Sequence, residues 1–172
     1  MMKRLFAIAF AFLVIGKVQA QEYFTIKQYN VSIKVNKDAS LDIAENIQVH
    51  FTEQRHGIIR KIPYKYEVQS LPANAQKADV QLESGGYRRT MVENIKVPGW
   101  NFDVSNDGNY KSVKIGSADK YIEGDQQYII TYRILNAINF FKDHSELYFN
   151  VIGDQWETTI AAVNFKVELY QP

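Results

Sequence analysis

Glu45 is a carboxylate on the apolar face of a predicted strand, and it is the residue of greatest chemical interest. Ile43 and Ile47 flank it at alternate positions, and a period of two puts all three side chains on one face. A carboxylate in apolar surroundings has to be paired, protonated or near the edge of a sheet. We therefore expect Glu45 to have either a structural partner or a role in acid catalysis.

An arginine is the structural partner that we expect. Arg60 and Arg133 are both candidates, and Arg60 follows the strand of Glu45 after only a short connection. A guanidinium can donate to both oxygens of a carboxylate at once. We predict that Glu45 and Arg60 form a structural ion pair that holds the loop before Pro63 against the sheet.

Catalysis is the second interpretation of Glu45. Hydrolysis of a glycoside needs two carboxylates across a cleft, roughly 5–9.5 Å apart. Glu146, Asp154 and Glu157 are candidates for the second group, but nothing in their spacing brings them near Glu45. We predict that the protein is not an enzyme and has no catalytic residues.

Motifs for metals and cofactors are incomplete in this sequence. Asp103, Ser105 and Asp107 match the start of a calcium-binding loop, but Lys114 stands where a bidentate glutamate is needed. The chain has no cysteine, and its three histidines are not spaced as ligands on one element. We expect a hairpin turn after Asp107, and neither a metal nor a cofactor.

Aromatic side chains are the other candidates for binding. The chain has 11 Tyr, 10 Phe and 2 Trp, and exposed rings can form a platform for sugars or peptides. Trp100, Tyr64 and Tyr66 form the candidate binding surface, whereas Trp156 is expected to fill the core. A carbohydrate-binding module would need at least two exposed, coplanar rings.

The elements that carry these residues are β-strands. Apolar residues alternate with polar ones from Tyr29 to Val35, from Leu41 to Phe51 and from Val163 to Leu169. The first two form a predicted hairpin spanning about Phe24 to Phe51. About eight such strands predict an all-β fold, an antiparallel β-sandwich.

Two stretches do not show this alternation. Thr52 to Ala78 contains two prolines and is predicted to be a loop with short strand or turn pieces. Ser145 to Trp156 fits either a short helical turn or an extended segment.

Residues 1–20 are predicted to be a helical signal peptide that is cleaved. Two basic residues precede an apolar run from Leu5 to Ile15, which is too short to cross a bilayer, and Ala20 ends a cleavage site. Residues 21–172 then form a single extracytoplasmic domain, in the periplasm, on the cell surface or secreted.

The charge of the mature domain excludes one class of partner. Of the 20 basic residues, cleavage removes Lys3, Arg4 and Lys17, which leaves 17 against 19 acidic residues. A near-neutral domain lacks the electrostatic footprint of a nucleic-acid-binding protein. We expect a protein or a glycan as the partner.

Several segments, in their order and spacing, resemble the N-terminal domain of the bacterial domain-of-unknown-function family 2207, described as predicted membrane proteins. The most recognisable are Arg60 ahead of Ile62-Pro63 and an Asn-x-x-Gly-x-x-Trp stretch at Asn150 to Trp156. Ala39 stands where the turn of family members usually has Gly. The resemblance implies membrane attachment through segments absent from this chain, and it transfers no catalytic residue.

Together these observations predict a non-catalytic extracytoplasmic domain of a membrane-associated cell-envelope protein, which recognises a ligand or partner. The alternatives are a secreted carbohydrate-binding module, a carboxylate-based hydrolase and a purely structural spacer.

Signal-peptide removal can be tested by producing the chain in a bacterial host. We expect N-terminal sequencing of the periplasmic protein to begin at Gln21, because cleavage follows Ala20. A control variant, Leu13→Arg, interrupts the apolar run and should stay unprocessed in the cytoplasm. An unprocessed wild-type chain in the cytoplasm would contradict the export of this domain.

Overall fold

The computed structural model describes residues 22–67 and 87–171, and all regular structure in these ranges is β-sheet. The strands are β1 Phe24–Val35, β2 Leu41–Arg55, β3 Gly57–Pro63, β4 Lys65–Glu67, β5 Tyr87–Arg89, β6 Met91–Lys96, β7 Phe102–Asp107, β8 Tyr110–Gly116, β9 Ile122–Leu135, β10 Ile138–Phe140, β11 Ser145–Leu147 and β12 Val163–Glu168. The predicted all-β fold is confirmed, and the predicted signal helix lies outside the described residues.

The larger sheet has five strands in the order β12-β1-β2-β9-β6. Strands β1 and β2 form the predicted antiparallel hairpin, and its turn holds Ala39 at φ 63°, which is the left-handed region that favours glycine. Strand β12 pairs with β1 in parallel. The chain therefore returns at its end to the sheet edge beside its first strand, and the sheet is not wholly antiparallel.

The second sheet has three strands in the order β3-β8-β7. Strands β7 and β8 form the hairpin predicted at Asp107, with Gly108 and Asn109 in the turn. Strands β4 and β5 form a two-stranded sheet, as do β10 and β11.

The stretch from Thr52 to Ala78 was predicted to be a loop with short strand or turn pieces, and its described part contains more strand than that. Strand β2 continues to Arg55, and β3 and β4 follow up to Glu67, while residues 68–86 lie outside the described part. In β3, Ile58, Arg60 and Ile62 all point inward. The inward arginine interrupts the apolar alternation, which is why the sequence pattern did not indicate a strand there.

The structure has twelve strands in its described part, where about eight were predicted. Four of them, β4, β5, β10 and β11, contain three residues each. A strand of that length is too short to show an alternating pattern. In the stretch from Ser145 to Trp156, the structure has the extended strand β11 and otherwise no helix or strand.

The core lies between the inward faces of the two main sheets. One cluster of buried residues joins Ile43 of β2 and Ile130 of β9 to Ile62 of β3 and Ile115 of β8. Three strands oppose five, and the inward-facing side chains of the outermost strand β12 are exposed. Within the described residues, the structure has no helix of the length and apolar character needed to span a bilayer.

Candidate functional site

Four buried polar side chains form a group between the two sheets, which we call the charged cluster. Tyr29 on β1, Glu45 on β2 and Tyr132 on β9 lie on neighbouring strands, and Arg60 reaches them from β3. The strand registers place the two tyrosines diagonally on either side of Glu45. All four are inward positions of their strands, so the sheets meet at this point.

The Glu45 carboxylate accepts four hydrogen bonds. Arg60 donates from Nε to Oε2 at 2.9 Å and from Nη2 to Oε1 at 2.8 Å. The Tyr29 hydroxyl donates to Oε2 at 2.7 Å, and the Tyr132 hydroxyl donates to Oε1 at 2.5 Å. Each oxygen thus has one charged and one neutral donor, which replace the water that the carboxylate lost on burial.

The position of Arg60 differs in one respect from the prediction. The side chains of Glu45 and Arg60 are 0% and 1% exposed and lie together as an ion pair. Arg60, however, belongs to strand β3, so the ion pair joins two sheets and does not hold a loop against one. The remaining amino group, Nη1, donates to the carbonyl of Lys61 at 2.6 Å.

The segment Asn150–Trp156 packs on the charged cluster. Gly153 has φ 84°, and a Cβ built on it would lie 2.7 Å from Arg60 Nη1, so no larger residue fits without displacing the guanidinium. The Trp156 ring stands edge-on to the Tyr29 ring, with 5.9 Å between centroids. Asn150 Oδ1 accepts a hydrogen bond from the Gly153 amide at 2.9 Å, which holds this segment in its turn.

Sequence reasoning missed Tyr29, Tyr132 and Gly153 as members of this arrangement. It expected Trp156 to fill the core but did not predict its contact with Tyr29. The two tyrosines did carry a usable signal. Each lies on the apolar face of a strand, where a buried hydroxyl requires a hydrogen-bond acceptor. An inward carboxylate on the strand between them is such an acceptor.

Burial sets the protonation of the cluster. Burial raises the pKa of Tyr29 and Tyr132 well above the usual tyrosine value, and the negative charge of Glu45 raises it further. Burial works against the charge on Arg60, but the adjacent Glu45 carboxylate outweighs it and raises the arginine pKa. Both tyrosines are therefore neutral hydrogen-bond donors and Arg60 is charged.

The structure does not place Glu45 in a cleft with a second carboxylate. Glu45 is sealed from solvent, whereas Glu146 and Asp154 are exposed and have other partners. Glu146 lies 3.1 Å from His144 Nε2, and Asp154 accepts a hydrogen bond from the Tyr110 hydroxyl at 3.1 Å. A carboxylate without access to solvent cannot meet a substrate, so this geometry gives Glu45 a structural role.

The candidate calcium segment forms an ordinary hairpin. Asp107 forms an ion pair with Lys61, with 2.9 Å between Oδ2 and the ammonium nitrogen. In residues 22–67 and 87–171, no three His, Cys, Asp or Glu side chains group closely enough to hold a metal ion.

The candidate aromatic surface is divided between two places. Trp100 lies beside Gly116, where β8 ends, whereas the Tyr64 hydroxyl donates to the Gly108 carbonyl, just before β8 begins. The seven residues of β8 separate these places by about 20 Å. Tyr66 is half-buried and packs edge-on against Tyr148. Trp100 and Tyr64 therefore do not form one platform.

Breaking the buried ion pair should destabilise the domain strongly. We expect Glu45→Gln and Arg60→Met each to lower the free energy of unfolding by about 3–5 kcal/mol, because each leaves an uncompensated polar or charged group in the core. The double variant should lose less than the sum of the two, since neither charge remains. Urea unfolding followed by circular dichroism measures all three variants.

The matched control is the exposed ion pair of Asp42 and Arg133, which lies on the outward face of the same sheet. Arg133→Met should cost less than about 1 kcal/mol, because solvent screens that pair. Equal losses from Arg60→Met and Arg133→Met would show that the buried pair has no special role in stability.

The two tyrosines of the charged cluster should make stability fall at alkaline pH. In an unfolded chain tyrosine titrates near pH 10, but the raised pKa of Tyr29 and Tyr132 keeps them protonated in the folded state. Above about pH 10 the unfolded state releases protons that the folded state retains, so the free energy of unfolding decreases as pH rises. At neutral pH both states hold these protons and the contribution is complete.

The double variant Tyr29→Phe/Tyr132→Phe should show a shallower decline in the free energy of unfolding above pH 10 than the wild type. The control Tyr170→Phe, at an exposed position, should leave the slope unchanged. An identical slope in the wild type and the double variant would contradict the assignment.

Solved structures show a distant likeness to this fold. A mutant M1 zinc metallopeptidase from Deinococcus radiodurans, bound to a Tyr-Ser-Ala substrate, is 9% identical with a TM-score of 0.42, over 87% of this chain and 33% of that chain. Native leukotriene A4 hydrolase from Saccharomyces cerevisiae is 10% identical with a TM-score of 0.35, over 64% and 15%. The chain thus spans a third or less of the length of either protein.

No curated protein matches the sequence significantly. A family model described as "Predicted membrane protein (DUF2207) N-terminal domain" matches residues 25–172. This match includes all four residues of the charged cluster and the segment Asn150–Trp156 that packs on it. The chain belongs to the DUF2207 family of predicted membrane proteins, whose N-terminal domain it matches.

Proposed function

We propose that this chain is an extracytoplasmic recognition domain, without catalytic activity, of a membrane-associated cell-envelope protein, and that it binds a protein partner at the edge strand β12. Family membership supports the association with a membrane. The N-terminal pattern of residues 1–20 supports export. The burial of Glu45 supports a structural role for the most unusual carboxylate of the domain.

The exposed apolar row of β12 is the observation that carries this proposal. The parallel register pairs Phe165 with Val31 and Val167 with Ile33, so these side chains point to the same face of the sheet. On β1 they are buried, but on β12 Phe165 is 65% exposed and Val167 is 41% exposed. Strand β12 therefore presents core-type residues to solvent, which is typical of an interaction site.

The backbone of β12 supports the same conclusion. In the part of the chain that the structure describes, β12 is an outermost strand and pairs with β1 alone. An open edge invites another strand, and proteins use such edges to bind an extended segment of a partner. The apolar row would then pack against apolar residues of that partner.

The charges of β12 specify the partner further. Lys166 and Glu168 alternate with the apolar row and form an ion pair with each other on the opposite face. A strand that pairs with β12 is therefore expected to be apolar on one face and to carry charges of both signs on the other. This chemistry is that of an edge strand of a folded protein.

Photocrosslinking tests the proposed edge. A photoreactive amino acid in place of Phe165, in cells that produce the protein, should give one discrete adduct to a protein. Val167→Lys should abolish this adduct, because it places a charge in the apolar row. The matched control is Val104→Lys, since Val104 is 43% exposed and lies on β7, in the other sheet from β12.

The adduct should persist in the Val104→Lys variant, and circular dichroism should show that both variants fold. The proposal fails if position 165 gives no adduct, or if Val167→Lys and Val104→Lys affect the adduct equally.

A further inference from the structure

A cavity of about 320 Å³ lies at one end of the second sheet. Its lining residues from the larger sheet lie on β9, which β1 and β2 separate from β12. The cavity opens between the β2–β3 corner at His56, the connection that carries Trp100, and the β8–β9 connection at Lys120. Its volume is at the lower end of the range for small-molecule sites. None of the residues in this cavity belongs to the charged cluster or to β12.

Glycines let two backbone segments approach closely beside the cavity. Gly57 and Gly116 are partners in the β3–β8 ladder, where a Cβ on Gly57 would lie 1.8 Å from the carbonyl oxygen of Ile115 and one on Gly116 would lie 1.8 Å from that of His56. Only glycine is therefore accommodated at these two positions. Gly99, which also lines the cavity, has open space where a Cβ would stand.

One wall of the cavity is a fixed aromatic ring. The Trp100 indole lies on the Tyr128 ring, with 4.6 Å between centroids, and its Nε1 donates to the carbonyl of Gln127 at 3.1 Å. Packing and hydrogen bonding both hold this ring in place before any ligand arrives. A ligand in the cavity meets a preorganised apolar surface, which lowers the entropic cost of binding.

The His56 side chain is fixed in one tautomer. Its Nδ1 lies 3.1 Å from the carbonyl oxygens of both Ser117 and Lys120, and carbonyls only accept, so Nδ1 carries a proton. The Tyr121 ring packs on the imidazole, with 4.2 Å between centroids. In neutral His56, Nε2 is then a hydrogen-bond acceptor in a fixed position.

The remaining polar groups determine the class of ligand. Asn101 and Gln126 bring amide donors and acceptors, and Lys120 has the only permanently charged side chain among the described residues that line the cavity. With no carboxylate there, the cavity does not favour cations. A single lysine is also too little charge for a polyphosphate.

From this arrangement we infer that the cavity is a binding site for one saccharide unit, neutral or carrying one carboxylate. A sugar ring has an apolar C–H face, which fits the Trp100 ring, and a rim of hydroxyls, which fits amides and an imidazole acceptor. This site is independent of the proposed edge at β12, because the two share no residue.

Binding can be measured with monosaccharides as probes. We would titrate the chain with glucose, N-acetylglucosamine and glucuronate, each up to millimolar concentration, and record ligand-observed NMR and tryptophan fluorescence. The Trp156→Phe variant leaves Trp100 as the one tryptophan, so its emission reports on the cavity directly. We expect saturable binding of at least one probe together with a change in Trp100 emission.

Substitutions in the cavity should weaken that binding. We expect Asn101→Ala to raise the Kd about tenfold, as loss of one well-formed hydrogen bond does. The matched control is Asn106→Ala, an exposed asparagine on β7 outside the cavity, which should leave the Kd unchanged. Trp100→Ala should abolish binding. If the Trp100→Ala variant does not fold, Gln126→Ala gives a second test.

Three results would overturn the inference. The first is that none of the three sugars binds saturably. The second is that a sugar binds without changing Trp100 emission. The third is that the wild type and the Asn101→Ala and Gln126→Ala variants have the same Kd.

Discussion

The fold depends on an ion pair, Glu45 with Arg60, whose two charges neither sheet can bury alone. Glu45 and Arg60 each point inward from an apolar strand face, and an isolated ion in that position would cost several kcal/mol. The cost is offset only when the two faces meet with these side chains opposed and the two tyrosine hydroxyls complete the carboxylate's hydrogen bonds. The ion pair therefore selects one alignment of the sheets, whereas apolar packing tolerates many.

The two features for which we propose binding lie outside this centre. The second sheet has two strands fewer than the first, and the apolar row of β12 at the edge of the larger sheet is exposed. At the corner beside Trp100, Gly57 and Gly116 allow the backbones to approach closely. A rigid core with open sites at its periphery suits recognition, because the sites keep their shape while the core remains sealed.

Much of this architecture follows from local sequence patterns. Alternation predicts β1, β2 and β12, the Asp-Gly turn predicts the β7–β8 hairpin, and a lone carboxylate on an apolar face predicts a cationic partner. Alternation does not predict strand β3, because Arg60, which pairs with Glu45, puts a charged residue at an inward position where the pattern requires an apolar one. Three features depend on how strands distant in sequence are ordered, and no local pattern contains that order. They are the exposure of β12, the separation of Trp100 from Tyr64, and the contact between Gly153 and Arg60.

Native-state hydrogen exchange tests most directly whether the ion pair unites the two sheets. If it does, the slowest amides of β2 around Glu45 and of β3 around Arg60 exchange with the same free energy, equal to that of global unfolding. The account is contradicted if the amides of β3 exchange at a much lower free energy than those of β2, since the second sheet would then open on its own.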